Sequence, residues 1–437
     1  MYYGGGFGDY PNDNDFCCNG IITADRHVTP KLLEVKKVYQ YVDFKLTDDG
    51  KIRIRNRYCF TPLSAFTFHY SLLRDGRMIK GGTASLPEVQ PGDSCFIDLP
   101  CEVPEGEGLY HLNVSLQLKE ATRWANAGHE VASEQLMLRD GKPAISTAVK
   151  TNGTLKVEEN SNQISVKNEG FAFAVSKQSG AVTELSYNGK PIIVTGDKIP
   201  FGNLTFNGFR SISNDRRGNF KSSFAAQKVS MKQEEGMVII NVKYDVKSGR
   251  ENRTTIPVET TYTVYNDGSI GVTSYFGNEN NQDFSRLGLI MALEPRLGNV
   301  QWLGRGPHEN YPDRKTSAFV GVWDGTVNGM TEEYIKPQSM GERCDVKWVT
   351  FTDDKGEGIR IRTGGELAFS ALHYMDEELW QTKYKHELNK IYRPEIILHL
   401  DAAMRGLGNA SCGPGPLPKY ELREKNYGYG FVIEPVK

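Results

Sequence analysis

Val238-Ile239-Ile240-Asn241-Val242-Lys243-Tyr244-Asp245-Val246 alternates apolar and polar residues over nine positions, and Val258 to Val264 repeats the pattern. Asn266-Asp267-Gly268 then turns the chain into Ser269 to Phe276. Period-two alternation with β-branched and aromatic residues, closed by an Asp-Gly turn, specifies antiparallel strands. Upstream, residues 164–194 alternate in the same way, with Gly170, Gly180 and Gly189 as corners. The region after residue 150 carries strand after strand and little helix. A β region of that size stacks two large sheets, a super-sandwich.

Working toward the N-terminus, strands are expected at Val42–Leu46, Lys51–Arg57, Phe66–Leu73, Met78–Ala84, Cys95–Leu99, Leu109–Leu118 and His129–Leu138. Asp48-Asp49-Gly50 and Arg74-Asp75-Gly76-Arg77 read as hairpin turns. Seven short strands in about 100 residues predict an immunoglobulin-like β-sandwich. The Cys…Trp…Cys spacing of antibody domains is absent. Asp140 to Gly153 is polar and reads as a linker, which puts a boundary near residue 150. The first 42 residues are irregular, then helical from Pro30 to Tyr39, with Thr29 as N-cap and Pro30 at N1. The expected organisation is therefore 1–42, 43–150 and 151–437, in an all-β chain.

The 437 residues carry 52 Lys plus Arg against 54 Asp plus Glu, a formal charge of −2. That balance argues against nucleic acid or an anionic membrane as a partner. No apolar run reaches the 18 residues a membrane helix needs; Gly288 to Leu293 is typical of the strongest. The seven cysteines include adjacent Cys17-Cys18 and no C-x-x-C spacing, so neither a redox motif nor a structural zinc site is indicated. The chain opens on Tyr2-Tyr3-Gly4-Gly5-Gly6-Phe7-Gly8-Asp9, which reads as the interior of a longer protein and leaves the compartment open between cytoplasm and periplasm.

Three stretches carry a resemblance. Phe7-Gly8-Asp9-Tyr10-Pro11-Asn12-Asp13 through Phe16-Cys17-Cys18-Asn19-Gly20, then Ala24-Asp25-Arg26, resembles the end of the catalytic barrel of large enterobacterial-type β-galactosidases of glycoside hydrolase family 2. Trp302-Leu303-Gly304-Arg305-Gly306-Pro307-His308-Glu309-Asn310-Tyr311-Pro312-Asp313-Arg314 resembles the hallmark of that family's small-chain domain, as does Leu400-Asp401 with Arg405 to Pro414. The resemblance implies a TIM-barrel remnant, an immunoglobulin-like domain and a galactose-mutarotase-like β super-sandwich. It implies retaining hydrolysis of terminal β-D-galactosides by the complete enzyme, with both catalytic glutamates and the magnesium ligands upstream of Met1. The chain alone is expected to be inactive and to need the N-terminal and catalytic barrel domains as partners; a homo-oligomer stays open.

The same resemblance places the Phe16 carbonyl and the Asn19 side chain at a sodium ion, a site incomplete here and without cofactor in this chain. The sugar-cleft candidates are Arg210, His308, Glu309, Asn310, Arg314, Arg343 and Cys412. Their polar groups suit sugar hydroxyls, and they equally suit a buried network that fixes a loop with Arg314 paired to a carboxylate. The run Phe209 to Gly218 departs from the family at Asn214, Asp215 and Arg216, and Met340 stands where the family has Asn. Cys412 occupies the place of an aromatic residue that supports the non-galactose part of the substrate, and a thiol cannot stack on a sugar. Four histidines of the last region, His308, His373, His386 and His399, lie near Glu309, Glu387 and Glu395 in sequence. The alternatives are a stand-alone carbohydrate-binding module and an aldose epimerase-like protein, the latter using a His acid and a Glu base.

Overall fold

The computed structural model describes residues 1–141, 154–194, 222–248, 254–279, 281, 283–408 and 413–436. Most of the expected linker, the Phe209 to Gly218 run with Arg210, and Cys412 lie outside these. Two compact units are present: Met1–Thr29 with Ser146–Lys315 and Trp323–Lys437, and Pro30–Ile145 with Thr316–Val322.

The smaller unit holds helix α1 (Pro30–Val38) and strands β1 (Val42–Leu46), β2 (Ile52–Asn56), β3 (Phe66–Arg74), β4 (Arg77–Ala84), β5 (Ser94–Ile97), β6 (Leu109–Leu118) and β7 (Glu130–Asp140). They form two antiparallel sheets, ordered β1-β2-β5 and β4-β3-β6-β7. The expected strands are all present, with ends that differ by a residue or two. The turn between β3 and β4 puts Asp75 and Gly76 at φ 49° and 75°, the left-handed pair that a two-residue hairpin requires. Alternation delivers Ile52, Ile54, Phe68, Leu112, Val114 and Leu116 to one core.

On α1, Leu32, Leu33 and Val35 are half-buried and Val38 is exposed. The helix is fastened by charge. Lys37 Nζ donates to Glu134 at 2.8 Å and to the Ser133 carbonyl. Glu34 accepts from the backbone N–H groups of Thr316 and Ser317 at 3.1 and 2.9 Å and from both hydroxyls. Burial alone would raise its pKa, but these four donors hold it below the ordinary value. Glu34→Gln, which keeps the shape and loses the charge, is expected to cost about 1–2 kcal/mol in urea unfolding of this unit.

The larger unit contains β8 (Lys156–Glu159), β9 (Gln163–Lys167), β10 (Phe171–Ser176), β11 (Val182–Tyr187) and β12 (Lys190–Pro191), ordered β12-β11-β10-β9-β8. Against this sheet packs an eleven-stranded one. Its strands are β13 (Ser222–Glu234), β14 (Met237–Ser248), β15 (Thr254–Tyr265), β16 (Ile270–Gly277), β17 (Arg286–Leu293), β18 (Asn299–Gly306), β19 (Phe319–Thr326), β20 (Arg343–Thr352), β21 (Gly358–Leu372), β22 (Ile396–Met404) and β23 (Asn426–Val436). The main path is β13-β14-β15-β16-β23-β21-β20-β18-β19. Phe173 of the small sheet meets Tyr262 of the large one at 5.6 Å between ring centres. This is the expected super-sandwich, entered by the irregular segment 1–29.

One bend positions the polar interior. The first half of β21 pairs with β23, Gly358↔Val436 to Arg362↔Val432. Its second half pairs with β22, Ala368↔Asp401 to Leu372↔Ile397, and β22 continues to β17. Between β17 and β22 the register jumps from Leu287↔Ala403 to Gly288↔Asp401, a bulge that re-aims side chains. Gly288 is required there, since a Cβ would lie 2.3 Å from the Leu400 carbonyl oxygen and 2.5 Å from Asp401 Oδ1.

Candidate functional site

Strand β18 ends at Gly306, and the chain from Pro307 to Arg314 folds back against residues 339–344. Glu309 is almost wholly buried. Its Oε1 accepts from Arg314 and from the Tyr334 hydroxyl, and its Oε2 accepts from the Gly341 N–H at 2.8 Å. Gly341 sits at φ +83°, and a Cβ there would meet the Met330 carbonyl oxygen at 3.0 Å. Asn310 donates its N–H to the Glu342 carbonyl at 2.8 Å, and its Oδ1 accepts from the Cys344 N–H at 2.9 Å. Arg343 Nε donates to the Pro307 carbonyl at 3.1 Å, and its guanidinium lies 5.6 Å from the centre of the Trp302 ring.

Four sequence candidates, Glu309, Asn310, Arg314 and Arg343, thus meet in one buried knot. His308 joins through its carbonyl, which accepts from Asn310 Nδ2 at 3.0 Å, while its ring is half-buried. Met340, the departure from the family's Asn, is buried, and its sulfur accepts the Glu332 N–H at 3.0 Å. Burial first, then the Glu309 charge, push the Glu332 carboxyl up to about 7. The knot pins two loops to each other by bonds that mostly end on buried partners.

The other histidines have separate surroundings. The His373 ring lies 4.7 Å from that of Tyr392, tilted by 32°, with Nδ1 3.2 Å from the Glu395 carbonyl oxygen. His386 lies parallel to Tyr384 at 5.5 Å. His399 is buried, and burial first, then the Arg286 charge, push its pKa well below the ordinary value and keep it neutral. Phe16 and Asn19 are both exposed, at the turn Asn14–Cys17 and just beyond it.

A second, deeper cluster adjoins the knot through Glu342 and was not read from the sequence. Arg286, fully buried at the head of β17, reaches three carboxyls. Nε meets Asp401 Oδ2 at 2.8 Å, Nη1 meets Asp376 Oδ2 at 3.0 Å, and Nη2 meets Glu342 Oε2 at 2.7 Å and Ser370 Oγ at 2.8 Å. His399 Nε2 stands 3.8 Å from the same Asp376 oxygen. Three ionised carboxyls against one guanidinium would leave two net negative charges in the core, so the cluster retains a proton. Burial is the main cause that raises Glu342 well above its ordinary value and Asp401 to about 6, and the neighbouring carboxyls push the same way. The available signal was an arginine opening the apolar run Arg286-Leu287-Gly288-Leu289-Ile290, and His399 and Asp401 inside a second such run.

Comparison with known proteins places these features in sequence families. Residues 167–433 match the family model described as β-galactosidase small chain. Residues 52–139 match β-galactosidase domain 4, and residues 1–44 match the TIM barrel domain of glycosyl hydrolases family 2. A β-galactosidase of Priestia megaterium is 30% identical over the whole chain, and one of Streptococcus thermophilus 28%. One of Actinobacillus pleuropneumoniae is 29% identical over 99% of the chain. The chain spans about 42% of the length of each of these relatives. Among solved structures, a galactose 1-epimerase from Lactobacillus acidophilus is 10% identical, covering 64% of this chain and 99% of its own, with a TM-score of 0.33. An aldose epimerase homologue from C. elegans gives the same identity and coverage with a TM-score of 0.35. These two likenesses are too slight to build on.

Proposed function

Because the chain belongs to the β-galactosidase small-chain family, we propose that it works as the C-terminal portion of a glycoside hydrolase family 2 β-galactosidase. In that reading residues 1–42 end the catalytic barrel, 43–150 form the immunoglobulin-like domain and 151–437 the small-chain super-sandwich. The reading is carried by the succession of three family matches, barrel end, domain 4 and small chain, in that order along the chain. The surface of the first segment supports it. Phe7, Tyr10, Phe16 and Val28 are 86%, 93%, 53% and 63% exposed, a concentration of uncovered large apolar side chains within one short segment.

Retaining hydrolysis takes two carboxyls about 5–5.5 Å apart, one a nucleophile and one an acid/base. Among the described residues, the buried carboxyls are engaged elsewhere, Glu309 with Arg314 and Tyr334, and Glu342, Asp376 and Asp401 with Arg286. We therefore assign both catalytic carboxyls to a barrel supplied from outside these residues, and to this chain the support of that barrel. The sugar-cleft assignment for His308, Glu309, Asn310, Arg314 and Arg343, together with Arg210 and Cys412, is retained as the part of the proposal that galactose binding tests.

Sodium and magnesium are assigned to the complete enzyme. Phe16 and Asn19 bring one carbonyl and one amide oxygen on an exposed segment, short of the roughly six to eight oxygens a hard cation takes. Among the described residues no three His, Cys, Asp or Glu side chains gather as a metal group. The residues present do not fit a complete ion site, and no step here runs through one.

The test is an assay of the purified chain on a chromogenic β-galactoside. The chain alone leaves it uncut; joined in frame to the barrel-bearing portion of a relative, it supports turnover. Hydrolysis by the chain alone would overturn the assignment of both carboxyls to the barrel. Accelerated galactose mutarotation by the chain alone would instead support an epimerase.

A further inference from the structure

We propose that the turn Thr382–Glu387 of the super-sandwich is a seat that holds the barrel-derived segment Tyr2–Cys18, with Tyr384 and Tyr3 as its positioning residues. The functional half of this inference rests on the reading above; the structural half does not.

The segment is built as a compact knob. Gly4 N–H donates to the Asn14 carbonyl at 3.1 Å, and Gly6 N–H to the Tyr3 carbonyl at 2.9 Å. Gly5 N–H donates to Asp9 Oδ2 at 3.0 Å, and Asn12 Nδ2 to the Asp9 carbonyl at 2.8 Å. The glycine run permits this. A Cβ on Gly4 would stand 3.0 Å from the Asn14 backbone, and one on Gly6 2.6 Å from the Tyr2 Cβ. Folding the chain this tightly turns Tyr2 and Tyr3 to one side.

That side meets the sandwich. Tyr3 is 8% exposed, and its hydroxyl donates to the Lys383 carbonyl at 2.6 Å. Its ring lies 4.9 Å from that of Tyr384. Tyr2 stands edge-on to Tyr384 at 4.9 Å and to His386 at 5.3 Å. Four aromatic rings therefore interlock, two from each partner, in the tilted and edge-to-face arrangements that aromatic rings favour over a face-to-face sandwich.

The seat is rigid from below. Lys336 Nζ donates to the carbonyls of Trp380 and Thr382 at 2.7 Å each and of Pro337 at 3.2 Å. Lys385 N–H reaches the Ile335 carbonyl at 3.2 Å. Burial lowers the Lys336 pKa, and the Asp15 charge opposes that fall. Asp15 acts on Tyr3 as well, where it adds to burial in raising the hydroxyl pKa. The carboxylate of the knob thus lies within electrostatic reach of both parts of the seat.

Segments that follow barrel strands form the rim where such enzymes act. A knob seated on a rigid sandwich turn keeps its part of the rim in register, so loosening it raises KM more than it lowers kcat. Hydrogen exchange followed by mass spectrometry on the whole chain tests the seat. Tyr384→Ala is expected to speed exchange in residues 2–18 at least tenfold and to leave β17 and β22 unchanged; Tyr384→Phe keeps the protection. Tyr3→Phe, which removes only the hydroxyl, gives a smaller acceleration. Equal exchange of residues 2–18 in Tyr384→Ala and the native chain overturns the seat. In the complete β-galactosidase, a severalfold rise in KM with Tyr384→Ala supports positioning, and an unchanged KM overturns it. An inactive complete enzyme with the native seat overturns the functional reading and leaves the exchange result standing.

Discussion

Arg286→Leu is expected to destabilise the larger unit by roughly 3–5 kcal/mol, the cost of removing one partner from a buried ion cluster. The guanidinium bonds Asp401, Asp376, Glu342 and Ser370, which come from β22, the start of α2 (Asp376–Gln381), the loop before β20, and β21. Leucine fills part of the volume and offers no donor, so three carboxyls remain in a site with almost no solvent access. Protonation relieves their repulsion but leaves acceptors without partners. Arg286→Lys keeps the charge on one atom. It cannot reproduce a fork whose Nε, Nη1 and Nη2 serve different acids, so an intermediate loss is expected. Urea midpoints at pH 7, read by near-ultraviolet circular dichroism, decide the matter. A loss below about 1 kcal/mol for the leucine variant would mean that the cluster does not hold these elements together. A compensated variant separates the two costs. Arg286→Met combined with Glu342→Leu and Asp401→Leu removes charges on both sides and is expected to recover part of the loss.

Much of the architecture was legible because it is written locally. Asp75-Gly76 and Asn266-Asp267-Gly268 name their own turns, with Gly76 at φ 75° and Gly268 at φ 83°. Alternation in Leu109–Leu118 fixes which face is buried. The 308–314 knot was half legible. Glu309 with Arg314 is a pair five residues apart, while its closure by Tyr334 and Gly341 depends on a loop 25 to 32 residues away. The Arg286 cluster was not legible. Its partners stand 56, 90 and 115 residues away, and the strand bend and bulge that gather them leave no periodic trace. A charge within an apolar strand announces that a partner exists; only topology says which. The Tyr3–Lys383 contact spans 380 residues and lay equally beyond reach of any local pattern.

The sign of the cluster's pH dependence follows from which state holds the proton. Asp401 is raised from the ordinary 3.8 to about 6, and Glu342 is raised well above 4.5. Between the unfolded and folded values the native state binds more protons than the unfolded one, so stability falls as pH rises. The contribution is fully present below about pH 4 and is lost as pH climbs through the folded values. Two units on one buried carboxyl correspond to on the order of 3 kcal/mol. His399 works the other way: its depressed pKa removes stability as pH falls below the ordinary 6.5. Arg286 stays charged throughout, and Asp376 remains its acceptor at 3.0 Å. From β23, the Tyr429 hydroxyl, which feels the Asp401 charge, is committed to the Leu400 carbonyl at 2.9 Å. Because these neighbours are common to both proteins, comparing the native chain with Glu342→Gln isolates the shared proton. Glutamine mimics the neutral acid and still accepts from Arg286 through its amide oxygen. Between pH 4.5 and 8 the variant is therefore expected to gain on the native chain by on the order of 2 kcal/mol in urea unfolding. Parallel stability curves across that range would show that Glu342 is ionised in the fold and that the proton resides elsewhere.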